Sequence, residues 1–299
     1  MARNDYSNFV KKDVFSDISI DCIIEKHHTG IIVLKVIRII YLIAILLGVG
    51  MFAMSGDVPK TIWKKIIVLF FMLLPALTIS LMCSDFLYKI FIKIVVKSID
   101  SIKYYRIRRR KPKVLKKVLT FDVPIYSSSN ENITKIEIGN TIVIVSHFRY
   151  TQNIGFGKHP KTITICQGDC YAVDIKNKSI PNGIWLIRDH KYIKIGQKYI
   201  KKGLYSYESK KSIIYAGTAE SFNNCIKNDI FAIGEKIYKA VNTSFILYFE
   251  NNIMYYIELN NNDNEFEMEV FEFDIEKLLR RDLAILNNRV ELAKILASV

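Results

Sequence analysis

The apolar positions of this chain change their spacing several times, and each change marks a new element. Residues 30–54, GIIVLKVIRIIYLIAILLGVGMFAM, are apolar almost without interruption, and 39–54 carry no charge. Residues 66–83, IIVLFFMLLPALTISLMC, are uncharged from end to end. About 20 mostly apolar residues cross a bilayer as a helix, so the pattern predicts spans at 31–54 and 62–83. A buried helical hairpin in a soluble protein is the alternative. Pro75 inside the second run is tolerated and kinks it.

From residue 85 the charges return on every turn. In DFLYKIFIKIVVKSID, Lys89, Lys93 and Lys97 lie four apart. Phe86, Ile90 and Ile94 form one apolar row, and Leu87, Phe91, Val95, Ile99 and Ile102 form its neighbour. This spacing predicts an amphipathic basic helix over 85–117, lying on the membrane surface with its apolar side in lipid. A stalk that continues the second span and packs against its own copy or the cytosolic domain is the competing reading.

Beyond 118 the period shortens to two. KIEIGNTIVIVSHF, KTITICQGDCYAVDI, GIWLIRDHKYIKI, SFILYFENNIMYYIEL and EFEMEVFEF read as strands. Asn182-Gly183, Asp189-His190 and Asn251-Asn252 are candidate turns. Short links between consecutive strands predict an antiparallel meander, as a sandwich, a partial barrel or propeller-like sheets. A weak echo between YIKIGQKYIKKG (192–203) and IFAIGEKIYKAV (230–241) touches the propeller option. Asp274 then caps a closing helix at about 275–297, with Ile275, Leu279, Leu283, Leu286 and Val290 on the face expected against the sheet.

The fold class is thus a membrane-anchored α+β protein. It has a cytosolic segment (1–29), a transmembrane hairpin (30–84), a basic juxtamembrane helix (85–117) and a cytosolic β-rich domain with a C-terminal helix (118–299).

Charge supports the membrane reading over nucleic acid. The formal net charge is +14 and mean hydropathy is +0.15. Residues 1–117 hold 21 Lys/Arg against 8 Asp/Glu, whereas 118–299 hold 22 against 21. The excess therefore sits beside the apolar runs, where basic flanks stay cytoplasmic. This predicts a multi-pass membrane protein with both termini in the cytoplasm. Lys89, Lys93, Lys97, Lys103, Arg106, Arg108, Arg109 and Arg110 are the candidate membrane-surface residues. Lys35, Arg38 and Trp63 are the candidate membrane-edge residues, the first two reaching back to headgroups along their stems. An RNA contact through the arginines is the lesser reading. Residues 176–211 hold ten Lys/Arg, and 250–276 hold nine Asp/Glu and no basic residue. That asymmetry suits a protein partner or self-association through 118–299.

Catalytic signals are missing. No G-x-S-x-G, H-E-x-x-H, Walker or dinucleotide-binding pattern occurs. GFGKHP (155–160) reads as a surface loop, and Cys166 and Cys170 share one strand face as core residues. The expectation is a non-enzymatic protein with no cofactor and no metal. Five scattered cysteines fit a reducing compartment, and the first 29 residues lack a signal-peptide core.

In its order of parts, over the whole chain, the sequence resembles the two-transmembrane effector proteins of bacterial antiphage systems, including those paired with retrons or nucleotide-signalling enzymes. The resemblance carries over no individual residues. It implies a cytosolic sensor domain that, once triggered, makes the spans permeabilise the membrane and arrest growth. The alternatives are a passive tether, scaffold or immunity protein that recruits a partner, and a membrane-anchored enzyme.

Overall fold

A computed structural model describes residues 20–54, 70, 83–99, 101–106, 127–154, 161–175, 180, 182–188, 205–209, 212–227, 230–259 and 274–299. The chain divides into two compact units, one of residues 1–98 with 264–287 and one of 99–263 with 288–299.

The first unit is helical. It contains α1 (Ile20–Lys26), α2 (His28–Met54) and α3 (83–97), together with the first turns of the closing helix. At the α1–α2 junction the His27 amide is shared between the carbonyls of Ile23 (3.1 Å) and Ile24 (3.2 Å). α2 is the expected apolar helix: over His28–Met51 its mean hydropathy reaches 2.6. It is the one helix long and apolar enough to cross a membrane among the described residues. The second predicted span, 66–83, lies outside them except for Phe70 and Cys83, so a two-helix hairpin is not described.

α3 is shorter than its apolar pattern predicts. Ser98 closes it, donating through its hydroxyl to the Val95 carbonyl at 2.6 Å and through its amide to the same oxygen at 3.0 Å. A side chain that satisfies the last carbonyls in this way ends a helix. The chain then turns into strand β1 (Ile102–Arg106), where Ile102 faces Ile136 and the Glu137 amide reaches the Ser101 carbonyl at 3.0 Å. The helix expected over 85–117 is thus corrected: adjacent Tyr104 and Tyr105 are strand formers, and a sheet edge was there to accept them.

Among the described residues the second unit is built on a nine-stranded antiparallel sheet. Its strands are β1, β2 (Ser127–Ile138), β3 (Thr141–Ile154), β4 (Lys161–Asp174), β5 (Ile184–Arg188), β6 (Tyr205–Ser209), β7 (Ser212–Ala216), β8 (Phe245–Glu250) and β9 (Ile253–Leu259). They lie in the order β1-β2-β3-β4-β9-β8-β5-β7-β6. Asn251 and Asn252, with φ of 53° and 60°, make the two-residue β8–β9 turn, because asparagine tolerates the left-handed region that such hairpins need.

Two helices that the sequence reading lacked, α4 (Ala219–Lys227) and α5 (Ile230–Val241), cover one face of this sheet. Thr218 caps α4 by accepting the Ser221 amide at 3.1 Å. The segment 230–241 that echoes 192–203 is helix α5, so the echo is no blade repeat. A Cβ on Gly234 of α5 would come within 2.8 Å of the Leu186 side chain, so helix and strand pack backbone to leucine there. Phe148, Cys170, Ile187, Ile213, Ile246 and Ile257 fill a second buried layer on the opposite face.

α6 (Ile275–Ala297) is the predicted closing helix. Asp274 Oδ1 accepts the amides of Glu276 (3.1 Å) and Lys277 (3.2 Å), the expected N-cap. Its residues to 287 belong to the helical unit, and those from 288 to the sheet unit.

Candidate membrane interface

Within the helical unit, α2 offers an apolar surface with little protein over it. Ile32, Val33, Val36, Ile39, Ile40, Ile43, Leu46, Leu47 and Met51 are each more than two-fifths exposed. Only 11% of the most apolar stretch is buried. A core helix of a soluble protein hides such a stripe, and exposed apolar area on this scale costs about 25 cal/mol per Å² in water. The side of α2 that does meet protein is narrow: Ile31 is buried, and Leu34, Ile37 and Arg38 line a small cavity with Ser84, Leu87, Tyr88 and Ile275. Arg38 is turned into this protein-lined space and is 6% exposed; Lys35 is half-buried, and Trp63 lies outside the described residues.

α3 packs along α2. A Cβ on Gly30 would collide with the Phe91 ring, so glycine allows the two helices to touch. The His27 ring meets the edge of Phe91 at 6.3 Å, with Nε2 3.1 Å from Ser98 Oγ. Burial, and then the neighbouring Lys26 charge, lowers the His27 pKa. Tyr88, Phe91, Ile92, Val95, Val96 and Ile99 are buried, and Tyr88 donates to Asp282 of α6 at 2.7 Å. The row that faces outward is therefore Phe86 (64% exposed), Ile90 (41%) and Ile94 (55%), interleaved with the lysines.

The candidate surface residues separate once their partners are known. Lys89 Nζ is 2.5 Å from Asp85 Oδ2, and Lys103, now on β1, is 3.2 Å from Glu137. Lys97 is exposed, Lys93 is half-buried, and neither makes an ion pair among the described residues. Arg106 ends β1, and Arg108, Arg109 and Arg110 lie outside the described residues.

The sheet unit contains a buried charge cluster that sequence reading missed. His147, Asp169 and Glu258 are direct cross-strand neighbours on β3, β4 and β9. Arg289 of α6 donates to Asp169 through Nη2 at 2.8 Å and Nε at 3.3 Å, and His147 Nδ1 lies 3.1 Å from Asp169 Oδ1. Burial pushes the Asp169 carboxyl up, but the Arg289 charge and the His147 hydrogen bond outweigh it and hold the pKa below the ordinary value. At Glu258, burial and the nearby Asp169 charge push the carboxyl up to about 7. Cys170 points to the opposite face, and burial raises its thiol to about 12, a protonated and inert state. No group of three or more His, Cys, Asp or Glu side chains suited to hold a metal occurs among the described residues. Within the sheet unit the cluster ties the end of α6 from residue 288 onward to β4.

One signal for the cluster was present. Asp282 and Arg289 are seven residues apart on the apolar stripe of α6 with Leu279, Leu286 and Ala293, where a charge needs a buried partner. Fold and surface together define an antiparallel β-sheet protein with one apolar, protein-poor N-terminal helix. No family profile, curated protein or solved structure matches the chain.

Proposed function

We propose that this is a membrane-anchored binding protein whose β-rich part is held at the cytoplasmic surface of a bacterial inner membrane and recruits or senses a protein partner. The observation that carries this reading is the exposed apolar surface of α2, running from Ile32 to Met51. Multi-pass topology is part of the proposal, supported by the uncharged run 66–83; the basic surplus of 1–117 supports cytoplasmic termini. Carbonate washing of vesicles carrying the full chain tests the anchor, and release into the supernatant refutes it. A reporter fused at Val299 tests the topology, and a signal from the outer side refutes it.

The finer reading is a regulated membrane-disrupting effector in antiphage defence. Its support is the order of parts together with Arg38, a charged residue held inside protein on a mostly apolar helix, the kind of position that membrane proteins keep for function. A membrane-potential dye separates effector from tether. Depolarisation that needs α2 supports the effector, and an unchanged potential under every trigger supports the tether. In neither case does the reading assign the chain a reaction.

A further inference from the structure

We infer that the outward face of α3 lies in the headgroup layer of an anionic bilayer, with Phe86 and Ile90 at the hydrocarbon rim and Lys93 and Lys97 among the lipid phosphates. The inference rests on the membrane anchor proposed above and adds which face, which depth and which lipid.

The depth follows from contacts within the helical unit. Exposed apolar residues on α2 begin at Ile32 and continue to Met51. At about 1.5 Å per residue that stretch is roughly 28 Å long, close to the hydrocarbon thickness of about 30 Å. Ile32 therefore marks the rim. Ser84, Leu87 and Tyr88 share a cavity with Leu34, Ile37 and Arg38, whereas Phe91 meets Gly30 and Ser98 meets His27. α3 thus descends antiparallel to α2, from just inside the rim to beyond it.

The charges follow the same gradient. Lys89, the lysine nearest the hydrocarbon, is the one neutralised by Asp85 at 2.5 Å. Lys93 and Lys97, one and two turns further out, have no acidic partner among the described residues. An ammonium near apolar chains is stable when paired or when it reaches phosphate, and α3 uses each solution at the depth that calls for it. The buried row of Tyr88, Phe91, Val95 and Ile99 is already covered by protein, so the lipid side is that of Phe86, Ile90 and Ile94. A second copy of the chain is a poorer occupant, since Lys93 and Lys97 would repel their counterparts, whereas anionic lipid complements both charges.

The test uses the full chain in vesicles, with Trp63 and Trp185 replaced by Phe. Phe86→Trp is expected to lose about half or more of its emission to lipids brominated near the headgroup, as an interfacial side chain does, and Phe91→Trp to keep its emission. In vesicles containing phosphatidylglycerol, the preference for spin-labelled anionic over zwitterionic lipid is expected to fall about fivefold for each of Lys93→Gln and Lys97→Gln, and to stay unchanged for Lys89→Gln. A chain that carbonate releases overturns the anchor reading and this one with it. A chain that stays while Phe86→Trp escapes quenching, as under a second copy, overturns this proposal alone. So does a lipid preference that the two substitutions leave intact.

Discussion

Arg289 grips Asp169 with two nitrogens, Nη2 at 2.8 Å and Nε at 3.3 Å, and both residues are at least nine-tenths buried. Removing one side of such a pair strands the other charge in a low-dielectric interior, which costs about 3–5 kcal/mol. Arg289→Ala is expected to destabilise the sheet unit by that amount in chemical denaturation of the detergent-solubilised chain. The double variant Asp169→Asn with Arg289→Met removes both charges and is expected to recover most of the loss.

Glu258, in the same row, gives the opposite dependence on pH. Its folded pKa of about 7 stands above its ordinary value of 4.5. Between those values the folded protein keeps a proton that the unfolded chain has released, so stability declines as pH rises through the window. Asp169, with its pKa depressed, contributes above the ordinary carboxylate range and loses that contribution as the solution becomes strongly acidic. Unfolding free energies at about pH 5 and about pH 7.5 are expected to differ by on the order of 2–3 kcal/mol in the native chain. Glu258→Gln is expected to remove most of that difference.

Gly168 faces the neighbouring strand without room for a side chain. A Cβ there would strike the Glu258 carbonyl oxygen and approach the Leu259 Cα at 2.9 Å, both backbone atoms of β9. Gly168→Ala is expected to cost at least about 2–3 kcal/mol, an overpacking penalty that no rotamer relieves. Hydrogen exchange confined to β4 and β9 would locate the damage.

Tyr88 and Asp282 tie α3 to α6 at 2.7 Å inside the helical unit. Tyr88→Phe leaves Asp282 with the Arg281 contact at 3.1 Å. The expected cost is about 1 kcal/mol, the low end for a buried acceptor losing one donor. A larger loss would mean that the phenol organises more than this one carboxylate.

How much of this could be read from the chain depends on whether the signal is local. The apolar run of α2, the Asp274 cap, the Asn251-Asn252 hairpin and the antiparallel strands around them are written in neighbouring residues, and each is present. The end of α3 was not legible, because Ile99 and Ile102 continue the helical row and only Ser98 and the waiting edge of β2 decide otherwise. Helices α4 and α5 lie in the long gap between the predicted strands, where Thr218 followed by Ala219, Glu220 and Ser221 is a readable cap that the strand pattern alone overlooks. The charge cluster joins residues 22 and 120 positions apart, and no local pattern announces such a match. His147 carries no local signal, because its partner is a cross-strand neighbour rather than a sequence neighbour.

Strand β1 decides where the chain can be cut. A truncated version beginning at residue 118 lacks Ile102–Arg106 and uncovers the outer rim of β2. Bare amides and carbonyls along that rim would recruit other molecules into aggregates, and a capture assay run with such a piece would report stickiness in place of a cognate ligand. Beginning no later than Ile99 keeps the rim shielded.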